Sequence, residues 1–154
     1  MRLTRFSDFG LRVLIYLARA GATRSPVTVA EIGAQFEIPV NHLVKVVGHL
    51  ARAGLVTATR GRNGGLRLAA DPATLKIGAV LRELEGDAEL VDCVGTACRL
   101  SDDCQLRGAL MVGMRAFYDA LDCYTLAQIT QGGTGEQIVR MHRAFLDRDR
   151  ALAA

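Results

Sequence analysis

The sequence predicts a mainly α-helical fold with one small β-hairpin. Three observations predict it: apolar residues recur at helical spacing through the first third, two short alternating segments flank an Asn-Gly-Gly turn, and a long helical stripe follows. Leu11, Leu14, Ile15 and Ala18 make the first stripe, a helix over about Thr4 to Arg19. Thr28 and Glu31 have the spacing of a capping box, in which hydroxyl and carboxylate each satisfy a free amide at a helix start. That second helix runs to about Phe36. Glu37-Ile38-Pro39 then turns the chain, because the residue before a proline disfavours helix. A third helix, Val40 to Ala53, points Leu43, Val46, Val47 and Leu50 inward, and Gly54 suits its left-handed end.

Leu55 to Arg60 and Leu66 to Ala69 read as two strands around Gly61 to Gly65. Helix, helix, turn, helix and a two-stranded wing with arginine at its tip make a winged helix-turn-helix, an arrangement that binds double-stranded DNA. Its second helix of the pair presents N-terminal residues to the major groove, here Val40, Asn41, His42 and Lys45. Asn pairs bidentately with adenine, and Lys reaches guanine or phosphate. The competing roles are a helix cap for Asn41 and a plain surface imidazole for His42. The wing offers Arg60, Arg62 and Arg67, of which Arg62 at the tip is best placed for a minor groove or a phosphate. Charge agrees: residues 1–75 carry ten Lys/Arg against four Asp/Glu, whereas residues 76–154 carry nine against twelve. A basic front half suits a polyanionic partner.

Asp71-Pro72 opens a linker, and Ile77, Val80, Leu81 and Leu84 mark a fourth helix ending near Gly86. Residues 87–101 are loop-like. A long helix begins at about Asp102, with Leu106, Leu110, Met114, Phe117 and Leu121 along one stripe. That stripe extends beyond what a small head can cover, so a second subunit is the expected cover and a homodimer the expected assembly. Thr125 caps a short turn, Ile138, Met141 and Phe145 line a last amphipathic segment, and the chain beyond Asp147 is expected to fray. No apolar run approaches the ~20 residues of a membrane span, since Arg12 interrupts the stretch from Leu11 to Ala18. With no signal-peptide pattern either, a cytoplasmic location is expected. There is no Gly-x-Ser-x-Gly, phosphate loop or His/Asp/Glu constellation, so an enzyme is not expected.

Cysteines stand at 93, 98, 104 and 123, the first three as Cys-x4-Cys-x5-Cys. Four in this length is not disulfide-dense, and zinc sites usually contain two pairs of closer knuckles. Thiolates suit iron–sulfur clusters, so the triplet reads first as a cluster loop, with zinc and redox thiols as alternatives. Three thiolates leave one iron of a 4Fe-4S cluster without a protein sulfur. Cys123 lies nineteen residues beyond Cys104 along a helix rising about 1.5 Å per residue, too far to share that cluster. It is expected to be a small buried hydrophobe. A replaceable oxygen ligand would leave that iron open to a small diatomic gas. The regions are therefore a winged helix-turn-helix DNA-binding region (1–75), a cluster loop and dimerisation helix (76–130), and a C-terminal helix and tail (131–154).

Met1-Arg2-Leu3-Thr4-Arg5-Phe6-Ser7-Asp8-Phe9-Gly10-Leu11-Arg12, Asn41-His42-Leu43-Val44-Lys45-Val46-Val47, Arg60-Gly61-Arg62-Asn63-Gly64-Gly65 and the cysteine triplet resemble the NsrR family of nitric-oxide-sensing repressors. The resemblance runs from residue 1 to about 130, and NsrR proteins belong to a wider group that also contains IscR. It implies a homodimer on a palindromic operator, with Cys93, Cys98 and Cys104 binding a 4Fe-4S cluster (2Fe-2S being the other form). It further implies that Asp8 supplies the fourth ligand across the dimer and that Arg12, one turn on, holds Asp8 through an i,i+4 pair. DNA affinity would fall when nitric oxide attacks the cluster. IscR instead uses a histidine three residues after its third cysteine; Arg107 occupies that place here and weighs against an IscR- or RirA-like sensor of iron or cluster supply.

Overall fold

The computed structural model describes residues 2–21, 26–61, 64–86, 90–93, 95–100 and 103–153. They form α1 (Arg5–Ala20), α2 (Val29–Phe36), α3 (Val40–Arg52), β1 (Val56–Thr59), β2 (Gly65–Leu68), α4 (Ile77–Glu85), α5 (Gln105–Leu121), α6 (Leu126–Ile129) and α7 (Gly132–Ala153). The arrangement is the winged helix-turn-helix expected from the sequence. Helix α1 runs through its middle and buries Val13, Leu14, Tyr16, Leu17 and Ala20 against α3, α4, α6 and α7. Each fully buried Leu there contributes about 1.5–3 kcal/mol of hydrophobic stabilisation.

Helix starts follow local chemistry. The Thr4 hydroxyl accepts from the Ser7 N–H at 3.1 Å, and Thr28 does the same for Glu31 at 3.1 Å. The reciprocal half of the box expected at Thr28 is not made. Glu31 turns inward instead and is 1 % exposed, because two stronger donors, Tyr16 and His142, face it in the core. A complete capping box forms at Thr125 and Gln128, opening α6.

Between α2 and α3 the chain reverses at Glu37, whose φ of 54° is left-handed. The turn is tight enough that a Cβ on Gly33 would lie 2.9 Å from the Ile38 carbonyl. A non-glycine residue held left-handed costs about 1–2 kcal/mol, partly offset by the greater unfolded-state freedom of glycine. Glu37→Gly is therefore expected to stabilise the protein by roughly 1 kcal/mol, raising Tm by about 2–4 °C in a thermal melt.

Strands β1 and β2 pair antiparallel, Val56 with Leu68 through Thr59 with Gly65. The Leu66 N–H also donates to the Val27 carbonyl at 2.7 Å, which seats the wing on the body. Gly65 allows that approach, since a Cβ would meet Pro26 at 2.7 Å. Arg62 and Asn63, expected at the wing tip, lie outside the described residues.

Helix α5 buries none of its described residues, and Leu106, Met111 and Val112 are exposed on it. Only its C-terminal part (Phe117, Tyr118, Leu121) leans on the core. Farther along, Leu110 and Met114 join Leu3 and Leu90 in an apolar groove of about 450 Å³. Two expectations need correction. Cys123 is exposed rather than buried, because it follows the C-cap Asp122, past the stripe that Leu121 ends. The chain beyond Asp147 is helical rather than irregular: α7 continues to Ala153, with Asp147 and Arg150 4.0 Å apart at i,i+3. No described helix is long and apolar enough to cross a membrane.

Candidate nucleic-acid interface and cysteine loop

With Leu43, Val46, Val47 and Leu50 turned into the core, the opposite face of α3 presents Asn41, His42, Val44 and Lys45 to solvent. Pro39 occupies the N-cap. Asn41 sits inside the first turn, where its Oδ1 accepts from the His42 N–H at 3.0 Å, so it is not the capping residue. Arg60 and Arg67 are exposed on the wing. Lys45, Arg60 and Arg67 form no ion pair with a described residue.

Asp8 stands in the first turn of α1 and accepts from Arg12 Nε at 3.0 Å. Both side chains are nearly half exposed, and the Arg12 guanidinium lies 5.6 Å over the Phe36 ring. Next to Asp8, Phe9 stacks on His42 of α3, with ring centroids 6.2 Å apart and planes 27° from parallel. Asp8, Phe9 and His42 share a depression of about 560 Å³ with Arg2, Arg5 and Glu37. Asp8, Arg12 and the first turn of α3 thus come together within one chain.

The cysteine loop is built by short turns. The Cys98 N–H donates to the Cys93 carbonyl at 3.1 Å. Asp92 is committed to the same turn, accepting from the Gly95 N–H at 2.6 Å, and its backbone carbonyl accepts from the Thr96 hydroxyl. A Cβ on Gly95 would collide with the Asp92 carboxylate, which would have to move from the Gly95 N–H to make room. Cys104 is the N-cap of α5, its sulfur 3.5 Å from the Arg107 nitrogen. All four thiols are free of disulfides; Cys93 is buried, and Cys98 and Cys104 are half-buried. Among the described residues no three His, Cys, Asp or Glu side chains gather as a metal site. One loop thus carries three soft donors, a set suited to a thiolate-bound group, without bringing them or Asp8 together in one chain.

Two clusters escaped the sequence reading. Glu31 accepts from the Tyr16 hydroxyl at 2.6 Å and from His142 Nδ1 at 2.5 Å, all three fully buried. Burial foremost, then the Glu31 hydrogen bond and charge, drives the Tyr16 phenol far above its ordinary pKa, so it remains a donor. Spacing alone reads Glu31 as half of a capping box, and His142 is too remote in sequence to be paired with it by pattern. The second cluster joins Arg82 of α4 to Asp119 and Asp122 of α5. The Arg82 hydrogen bond, against some desolvation and with its charge helping, holds the Asp122 carboxyl below its ordinary range. A carboxyl lowered in this way keeps its contribution above about pH 4 and loses it only as pH falls through the lowered value, so the link persists at neutral pH.

Residues 3–132 match the Rrf2 family, described as iron-dependent transcriptional regulators. Among solved structures, CymR of B. subtilis, titled the global cysteine regulator, is 25% identical, with 84% of this chain and 95% of that chain covered and a TM-score of 0.67. A transcriptional regulator from Listeria innocua is 29% identical, with coverage of 87% and 89% and a TM-score of 0.68. IscR of T. potens, at 24% identity, 84% and 85% coverage and a TM-score of 0.64, shares the fold.

Proposed function

Because the chain belongs to the Rrf2 family of transcriptional regulators, we propose that it is a nitric-oxide-responsive repressor of the NsrR kind, acting as a homodimer on a palindromic operator. Family members are regulators rather than enzymes; they bind DNA and are typically dimeric. The observation that carries the finer reading is the placement of Asp8. Its carboxylate is tethered by Arg12 at 3.0 Å and shares one depression with His42 of α3, so an event at Asp8 occurs against the reading helix.

Cys93, Cys98, Cys104 and the partner subunit's Asp8 would hold an iron–sulfur cluster, 4Fe-4S in the first instance. When bound, such a cluster would supply irons open to nitric oxide. What the chain supplies is position. Charge favours the approach of a second copy's loop: residues 87–104 contain Asp87, Glu89, Asp92, Asp102 and Asp103 against Arg99, and Arg2 and Arg5 line the depression. The exposed apolar face of α5 and its groove supply the cover a dimer needs. On the DNA side Asn41, His42 and Lys45 would enter the major groove, and Arg60 and Arg62 would reach phosphate or minor groove. Losing the Asp8 link would loosen the first turn of α1, and with it the stacking of Phe9 on His42, lowering DNA affinity.

The test is an anaerobic absorbance spectrum with iron and sulfide counts, then nitric oxide titration while operator binding is followed. A broad brown absorption that bleaches as DNA binding falls is expected, and Asp8→Ala should uncouple the two. A cluster indifferent to nitric oxide would sink the reading in favour of an IscR- or RirA-like supply sensor. A colourless protein would favour the second reading, a zinc- or thiol-based regulator, to which the likeness to CymR and the lack of a disulfide at any of the four cysteines lend support.

A further inference from the structure

Helix α4 is pinned to three other helices by residues of its second half. The Glu83 carboxylate lies 3.1 Å from His49 Nε2 of α3, and its backbone carbonyl lies 3.2 Å from the same nitrogen. Glu85 accepts from the Thr4 backbone N–H, at the start of α1, at 2.9 Å. On the α5 side, Arg82 donates through Nη1 to Asp122 at 2.7 Å and through Nη2 to Asp119 at 3.3 Å, with its guanidinium 4.9 Å over the Tyr118 ring. The other Asp122 oxygen accepts from the Ala79 N–H at 2.9 Å. Gly78 packs so closely that a Cβ would lie 2.4 Å from the Tyr118 carbonyl. The start of α4 therefore bears directly on the end of α5, and the far half of α5 is exposed.

We propose that Arg82 is the joint that determines operator spacing: it fixes the angle of α5 to the recognition helix, and so the separation of the two DNA half-sites a dimer accepts. This rests on the dimeric DNA-binding reading. The lever is long. The 17 residues of α5 span about 25 Å. A tilt of roughly 10° at the joint would carry its far end about 4 Å, comparable to the ~3.4 Å step between base pairs. Adding one base pair also rotates a half-site by about 35° around the duplex. The contact is suited to direction rather than to stability. Arg82 and Asp119 are largely exposed, and exposed ion pairs add little to folding. Yet Arg82 binds two carboxylates one turn apart and lies over the Tyr118 ring, which constrains rotation as well as distance.

The experiment is parallel selection from random duplex DNA by the wild-type protein, Arg82→Ala and Asp122→Asn, with thermal melts confirming that each is folded. All three are expected to select the same half-site sequence. The wild type should favour one spacing by about tenfold or more over spacings one base pair longer or shorter, and each variant by no more than about threefold. Asp122→Asn retains an oxygen for Ala79 while losing the charge, so it tests the joint if Arg82→Ala folds poorly. Unchanged spacing preference in the variants, or a changed half-site sequence, would overturn the proposal while leaving the dimeric reading standing. Selection of unpaired half-sites by the wild type would remove the dimeric reading and this inference with it.

Discussion

Replacing Glu31 by alanine is expected to destabilise the protein by about 3–5 kcal/mol, a large part of the roughly 5–15 kcal/mol available to a domain. The physical reason is what remains. His142 and Tyr16 are each 0 % exposed and both aim donors at one carboxylate oxygen. Without it the Tyr16 hydroxyl and the His142 Nδ1 donor lose this acceptor inside the core, and a buried polar group that loses its acceptor costs free energy. Gln35 Nε2 also donates to the Met141 carbonyl at 3.2 Å, so α2 meets α7 at two successive turns and the helix-turn-helix is braced from behind. Urea denaturation is the measurement. Because the three groups act together, Glu31→Ala combined with His142→Ala should cost little more than either alone. Additive losses would mean that the pair does not act as one unit. The expected shift in Tm is about 10 °C or more downward for the single variant.

The helices and the wing were legible because their signals are local. Apolar spacing in α1, α3 and α4, the turn residues around Gly64 and Gly65, and the hydroxyls of Thr28 and Thr125 act within a few residues of themselves. Most boundaries moved by one to three residues, as at α5, which starts at Gln105 rather than near Asp102. What could not be read were contacts whose partners are far apart in the chain. Glu31 fits a capping box by spacing, yet a histidine more than a hundred positions on draws it inward. Arg82 is one of three charged residues on α4 until α5 is laid beside it. The candidate site divides in the same way. The Asp8–Arg12 pair is four residues apart and was predictable; the stacking of Phe9 on His42 crosses two helices and was not. The thiols are close in sequence but do not converge in the fold of one chain, because Asp92, Gly95 and the start of α5 set their directions first.

Cys104→Ser separates those two influences. Serine is among the preferred N-cap residues, and its hydroxyl can accept from Arg107 as the sulfur does at 3.5 Å. The fold should therefore be retained, with α5 as stable as before or more so by several tenths of a kcal/mol. A thiolate ligand is another matter, because a serine hydroxyl is a harder and far less acidic donor than sulfur. If Cys104 holds iron, the anaerobically purified serine variant should lose its visible absorption and most of its iron while keeping its melting temperature. Its operator affinity should fall toward the non-specific level, about a hundredfold or more below the wild type. Cys123→Ser, made at an exposed position beyond the helix, should change neither spectrum nor affinity. A Cys104→Ser protein that melts normally and keeps both iron and spectrum would show that sulfur at the N-cap is structural, and the cluster reading would then have to stand without its third thiolate. Loss of iron at an unchanged melting temperature would assign the residue both roles: it starts the dimer arm, and its sulfur ties the start of that arm to the iron through which nitric oxide would act.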